Sequence, residues 1–486
     1  MITFVVCVLL LLLGYTLNTR VVESAFGISD AVTPAHALFD GVDFVPMNRW
    51  RLFFVELLNI AGLGPIFGAL AGALWGPTVF LWITFGTIFI GSVYDYFAGM
   101  LGVHNKGIDI SEVFGLFFGH GAQRVFQTIM IASLILICVV FTVGPAGLIA
   151  MLFAKAGLSD SLLVSIPFWS LLICAYYFCA GFLPIDKIIG KIYPFLGLLI
   201  FLMAFGVLAS LMTEYSARIP EIWEGFGTNM HPKELPIFPF LFISVACGAV
   251  SGFHATQTTL AARCLKSERD ARLVFAGSMY SEGFIALIWA AAGCGLYALV
   301  DGHTLELAAL VSGGQAVAIY DVCIKTMGQG SAFLAVIGVI LCPISTGDTC
   351  LRVARISVSQ WVGFGTRNVK FRVLASFVLT CVCFVLTFVN FEVIWRYFAW
   401  GNQTFAACIF WAASVFMVRQ GKSPWIVALP GALMTMVSAS YFLLAPECLG
   451  GIIRLDYSVG MAIAGCITAL ISSLCLRKAY RERGIG

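Results

Sequence analysis

Two stretches decide how this chain is read: Ile60-Ala61-Gly62-Leu63-Gly64-Pro65 and Ala246-Cys247-Gly248-Ala249-Val250-Ser251-Gly252. Each interrupts an apolar run where a membrane helix would otherwise continue. A buried polar group without a hydrogen bond costs roughly 2–7 kcal/mol, so non-helical backbone survives at membrane depth only where protein or a cavity surrounds it. The two breaks fall about five spans apart, in segments expected to run in opposite directions. Such a matched pair is the sequence pattern of an inverted-repeat transporter with its cargo site between the broken helices.

Composition sets the same frame. The chain has 486 residues, is 60% hydrophobic and only 11% charged, and its mean hydropathy is +0.97. A soluble domain carries about 25% charged residues, so this is an integral membrane protein. Its apolar runs are continuous rather than alternating, which implies helices and not a barrel. A net charge of +3 scattered over loops gives nucleic acid nothing to bind. The sixteen cysteines lie mainly inside apolar runs, where a thiol is a small hydrophobe. There is no CxxC pair at metal-ligand spacing and no HExxH motif, so the sequence does not read as an enzyme. The expected partners are lipid and a small-molecule substrate, with no cofactor beyond a coupling ion, H+ or Na+.

Apolar stretches mark about thirteen spans. No basic residue precedes the first run and Arg20 follows it, so residues 1–17 read as a retained helix with an external N-terminus. The basic tail Arg477, Lys478, Arg481 and Arg483 places the C-terminus in the cytoplasm, and Arg263/Lys266/Arg269/Arg272 and Arg419/Lys422 fall on the same side. This topology gives two five-helix halves of opposite orientation, 50–212 and 235–418, flanked by peripheral helices at 1–17 and 424–476. The expected fold is therefore all-α, with a 5+5 inverted-repeat core like that of LeuT and the amino-acid/polyamine/organocation transporters.

Half-helix ends expose N–H groups on one side of a break and carbonyls on the other, suiting an anionic group and a cation respectively. Asn59, Ala61, Gly62, Gly64 and Pro65 at the first break, with Gly248, Ser251, Gly252, His254 and Gln257 at the second, are the candidate substrate-binding residues. A glycine surface for helix packing is the alternative account. Carboxylates inside spans cost about 2.5–3.5 kcal/mol each on insertion scales, which singles out Glu56, Asp95, Glu282 and Asp348 for ion or proton coupling. Ser345, Thr346 and Thr349, beside Pro343, look like an interruption of the ninth span with oxygens for a sodium ion, or hydroxyls bonded back onto a kinked helix. Lys191 is a candidate ion surrogate, or a lysine reaching the interface.

Further residues carry a family likeness. Asp40-Gly41-Val42-Asp43-Phe44-Val45-Pro46, Asn59 through Gly68, Ala246 through Ala255, Ser267-Glu268-Arg269-Asp270-Ala271-Arg272 and Ser345-Thr346-Gly347-Asp348-Thr349 resemble signatures of the carbon starvation protein CstA family. The likeness spans about residues 1–420. It implies a plasma (inner) membrane importer of peptides or pyruvate, used when preferred carbon is scarce and driven by protons or sodium. Longer members carry a His pair where this chain has Val55-Glu56, so it looks like a shorter branch, and Tyr94 stands where Gln or His is expected. A passive channel and a membrane starvation sensor are the competing functions; no filter motif or soluble output domain supports either.

Overall fold

The computed structural model describes residues 1–41, 43–158, 161–182, 185–225, 227–363 and 369–483, and only the backbone of residues 185–192, 331–335, 369 and 392. Among them the chain is helical. The principal helices are α1 (Ile2–Phe26), α2 (Arg49–Ala61), α3 (Gly64–Trp75), α4 (Thr78–His104), α5 (His120–Lys155), α6 (Ile166–Ala180) and α7 (Ile185–Thr213). They continue as α8 (Ile237–Ser244), α9 (His254–Ala262), α10 (Glu268–Leu296), α11 (Gln315–Val362), α12 (Val369–Leu386), α13 (Phe391–Arg419), α14 (Trp425–Leu444) and α15 (Tyr457–Arg483).

Nine helices among the described residues are long and apolar enough to cross a membrane, or ten with the bent pair α2/α3 taken as one span. Length and hydropathy therefore do not reach the expected thirteen. The other three expected spans are α6, α12 and the pair α8/α9. With 15 residues, α6 is short of the roughly 20 needed to cross a bilayer; α12 has 18, and α8 and α9 have 8 and 9. The first helix also runs past residue 17 to Phe26. Its polar turn is accommodated because Asn18 donates to the Ile88 carbonyl at 2.5 Å and Thr19 to Tyr15.

The two ends of the bundle are distinct. At one end Arg263 donates to the Gly107 carbonyl at 2.8 Å, Lys422 to that of Phe26, and Arg419 pairs with Glu482 at 2.5 Å. At the other end Glu221 caps the start of α1, Thr304 donates to Leu74 and Met230 carbonyls, and Tyr397 donates to the Glu447 carbonyl. The loops richest in Arg and Lys thus gather on one face.

The first break is narrower than residues 60–65. Ile60 and Ala61 belong to α2, and the chain turns at Gly62 (φ 42°, ψ −139°), a conformation that glycine alone adopts without steric cost. Pro65 follows inside a short π-helical turn, Gly64–Gly68, where its missing N–H is lost at a helix start and costs little. The axis bends by 52°. The second break is fuller: residues 245–253 are non-helical, with Gly248 at φ 90°.

The expected interruption at residues 342–349 is absent. α11 runs through Pro343, and the non-helical residue inside it is Gly328 (φ 69°, ψ 175°). Ser345 donates to the Cys342 carbonyl at 2.6 Å and Thr349 to that of Thr346 at 2.9 Å, so these hydroxyls are bonded back onto a continuous helix.

Candidate functional site

The second break is held open by side chains from α4. Trp82 Nε1 donates to the Val245 carbonyl at 3.1 Å, Thr87 Oγ1 to that of Gly248 at 3.0 Å, and the Tyr94 hydroxyl to that of Gly252 at 2.7 Å. Asn402 of α13 adds two contacts: its Oδ1 accepts from Phe253 N–H at 2.5 Å, and its Nδ2 donates to Ser251 Oγ at 2.7 Å. Carbonyls and amides that would each cost a few kcal/mol unpaired are thus paired. Trp82, Thr87 and Tyr94 were not among the candidate residues, although Tyr94 was already the departure from the family pattern.

Beside these carbonyls lies a buried acid–imidazole–acid cluster. His254, the first residue of α9, places Nδ1 at 3.0 and 3.1 Å from the two oxygens of Asp95 on α4. Its Nε2 faces Glu282 Oε2 on α10 at 3.4 Å, close enough for an ion pair but not aligned as a hydrogen bond. The other Glu282 oxygen accepts from Gly248 N–H at 3.1 Å, joining the cluster to the break itself. All three side chains are fully buried. Three residues proposed separately from sequence therefore meet as one unit.

Glu56 is also fully buried, and neither carboxyl oxygen has a hydrogen-bond partner. A carboxylate so placed needs a proton, a cation or a substrate group. Asn59 Oδ1, one turn on, and Gln257 Oε1 on α9 are likewise buried without partners. Asn59 and Thr349 share a gap of about 20 Å³, room for about one water. Cys247 Sγ, His254 and Glu282 offer donor atoms within 4.8 Å of one another, a set that zinc can use. The thiol is instead hydrogen-bonded to Ser251 at 3.5 Å and receives the Asn402 amide.

The suggested sodium oxygens sit on α11 against α2. Thr346 Oγ1 donates to the Leu58 carbonyl at 2.7 Å, Ser345 and Thr349 are bonded within their own helix, and Asp348 Oδ1 is buried without a partner. Arg352 and Arg355 donate to the Ala180 and Gly181 carbonyls at the end of α6. The Lys191 side chain lies outside the described residues. Because Thr346 ties α11 to α2, Thr346→Val is expected to destabilise the protein by about 1–2 kcal/mol, read as a lower apparent Tm in detergent; an unchanged Tm would count against that tie.

The breaks touch rather than enclose a wide hollow. A Cβ on Gly64 would run into Cys247, and one on Gly248 would lie 3.5 Å from the Cα of Pro65. The expected chamber is closed here because glycines let the two backbones meet. Open space lies above them, in a vestibule of about 880 Å³ whose walls include Phe67, Gly144, Ser244, Gln315, Trp395 and Arg396. Phe67 and Ser244 belong to the two broken spans, so the vestibule floor is the roof of the site. His231 in its wall packs at a tilt against the Trp75 ring and accepts from Lys233 N–H at 3.1 Å. Burial and the charge of Lys233 lower its pKa to about 4, so the imidazole is neutral near pH 7.

This fold, a bundle built around two broken helices, is that of LeuT-like transporters. Its resemblance to solved structures covers nearly the whole chain: MhsT in complex with L-phenylalanine (TM-score 0.56, 15% identity, 89% of this chain and 99% of that one) and a manganese transporter from Eremococcus coleocola (TM-score 0.58, 10% identity, 92% and 98%). The family model described as carbon starvation protein CstA matches residues 1–151 and 145–316, and the chain belongs to that family. An uncharacterized membrane protein of Haemophilus influenzae is 37% identical over 61% of this chain and 91% of its own length. The pyruvate/proton symporter BtsT of Escherichia coli is 27% identical over 53% of this chain and 43% of its own; the peptide transporter CstA of Campylobacter jejuni is 26% identical over 56% and 47%. The chain thus spans less than half the length of these two named transporters. The protein is a multi-span membrane transporter, and its named relatives are transporters rather than enzymes.

Proposed function

We propose that this protein is a proton-coupled secondary transporter that imports a small carboxylate, either pyruvate or a peptide, across the plasma membrane by alternating access. The observation that carries the reading is His254 held between Asp95 and Glu282, with Glu282 bonded to the Gly248 amide of the second break. A proton moving among these groups changes the charge next to backbone that must rearrange when the site opens. Sodium is the weaker reading, because the carbonyls at Val245, Gly248 and Gly252 already accept from Trp82, Thr87 and Tyr94. The halves 50–212 and 235–418 would rock around the breaks. With the Arg- and Lys-rich loops in the cytoplasm, the N-terminus and the vestibule face outward, ready to receive cargo. Pyruvate and peptides enter as cargo through the names of the relatives, and use under carbon scarcity through the family description.

In proteoliposomes, uptake of pyruvate or dialanine is expected to follow an inward proton gradient, to collapse with a protonophore, and to persist when sodium is replaced by choline. Sodium-dependent uptake indifferent to the proton gradient would defeat proton coupling. Uptake unaffected by collapsing both gradients would make the protein a passive facilitator.

A further inference from the structure

The vestibule holds a second feature independent of the His254 cluster. α11 begins at Gln315, directly after Gly313 and Gly314, and its first stretch runs thirteen residues to Met327, before the turn at Gly328. The first N–H groups of a helix have no acceptor within it and carry its positive end. Here the N–H groups of Gln315, Ala316 and Val317 have no hydrogen-bond acceptor among the described residues; the first intrahelical bond is Ala318 to Gly314 at 3.1 Å. Gln315 itself is only 3% exposed, and both ends of its carboxamide, Oε1 and Nε2, lack hydrogen-bond partners. A buried amide left unpaired at both ends is costly. Gly314, Gln315 and Ala316 all line the vestibule.

The position of Gln315 along the path is defined by Gly144. A Cβ built there would lie 2.5 Å from Gln315 Oε1 and 2.7 Å from Leu63 Cδ1. Only a glycine's width thus separates the Gln315 amide from the residue at the first break. Lys233 is exposed on the vestibule rim, and the neutral His231 beside it adds no charge.

We infer that the start of α11 is an outer carboxylate subsite, in which the N–H groups of Gln315, Ala316 and Val317 and the Gln315 amide bind the anionic end of the cargo before it reaches the breaks. Unpaired N–H groups at a helix start are a general anion receptor, and the Gln315 Nε2 adds a further unpaired donor. The inference rests on the carboxylate-import reading and deepens it by placing where the cargo carboxylate is first recognised. Pyruvate and a peptide C-terminus present the same group; dialanine and pyruvate, assayed in parallel, separate the two sources.

The test substitutes Gln315→Glu in the full chain. A glutamate at this position is compatible with the helix start but places a fixed negative charge where the cargo carboxylate would bind. Expected in proteoliposomes is a rise in KM of tenfold or more for whichever of pyruvate and dialanine is carried, with kcat within twofold of wild type. Equilibrium binding of radiolabelled pyruvate to the purified protein should weaken in parallel. Gln315→Met, neutral and of similar length, should give a smaller rise in KM and serves as the second variant where the glutamate chain does not fold. Unchanged KM and binding in both variants, or a fall in kcat at constant KM, overturns the subsite. Wild-type protein that carries neither probe overturns the import reading alone, because the binding arm still decides the subsite: pyruvate binding lost in Gln315→Glu supports it, and binding unchanged or absent in wild type overturns it.

Discussion

Replacing Gly64 by leucine is expected to reduce uptake to below a tenth of wild type while leaving membrane insertion and monodisperse purification intact. Gly64 has no unusual backbone angle, so the leucine backbone itself is unstrained; the obstacle is space. The new side chain would strike Cβ and Sγ of Cys247, in the second break, at the point where the two broken spans meet. Overpacking in a close-packed interior costs about 1–3 kcal/mol, tolerable for a protein of this size but concentrated where the moving parts must fit. Initial rates in proteoliposomes, normalised to inserted protein, measure the effect. Gly465→Leu is the control, since nothing lies within 4 Å of a Cβ there. Cys247→Gly removes both atoms that the new side chain meets, so it should recover part of the loss caused by the milder Gly64→Ala. Wild-type transport by Gly64→Leu would show that the contact between the breaks is packing without function.

The breaks were readable in sequence because glycine and proline inside a long apolar run have few other uses, and Gly62 and Gly248 do take the positive φ angles that glycine permits. The extent of each break was less readable. Residues 64–68 continue as a π-helical turn, whereas 245–253 leave helix altogether. Pro343 carried the same signal as Pro65 and misled, because α11 runs on through it and the neighbouring hydroxyls bond back onto the helix. Asp95, His254 and Glu282 could each be named because polar groups are expensive in a membrane. Their meeting could not, since His254 and Asp95 are 159 positions apart and helix adjacency leaves no local trace. The same limit hid Thr87 and Trp82, ordinary residues of an apolar span until the carbonyls they satisfy are seen. Gln315 gave no signal at all in the sequence: only its burial without partners makes it conspicuous.

The larger mechanistic effect is expected at Glu282. In Glu282→Gln the side-chain oxygen can still accept from Gly248 N–H, as Oε1 does now at 3.1 Å, and the shape of the residue is kept. What is lost is a group able to take and release a proton beside His254 Nε2. The two halves of symport should therefore separate. Accumulation of pyruvate or dialanine against its gradient is expected to vanish under an inward proton gradient, so that internal cargo only equilibrates with external cargo. Counterflow, in which labelled cargo exchanges for unlabelled cargo without net proton movement, should stay within about threefold of wild type. Glu282→Ala should do worse on a different axis: it leaves the Gly248 amide buried without an acceptor, at about 1–3 kcal/mol, and should lower the apparent Tm as well as both transport modes. Asp95→Asn, on the opposite side of the imidazole, is expected to behave like Glu282→Gln, because His254 needs a carboxylate on Nδ1 to hold a proton in so dry a place. A Glu282→Gln protein that still accumulates cargo to wild-type levels on a proton gradient would remove this cluster from the coupling mechanism, leaving Glu56, whose two carboxyl oxygens are both buried without a hydrogen-bond partner, to carry it.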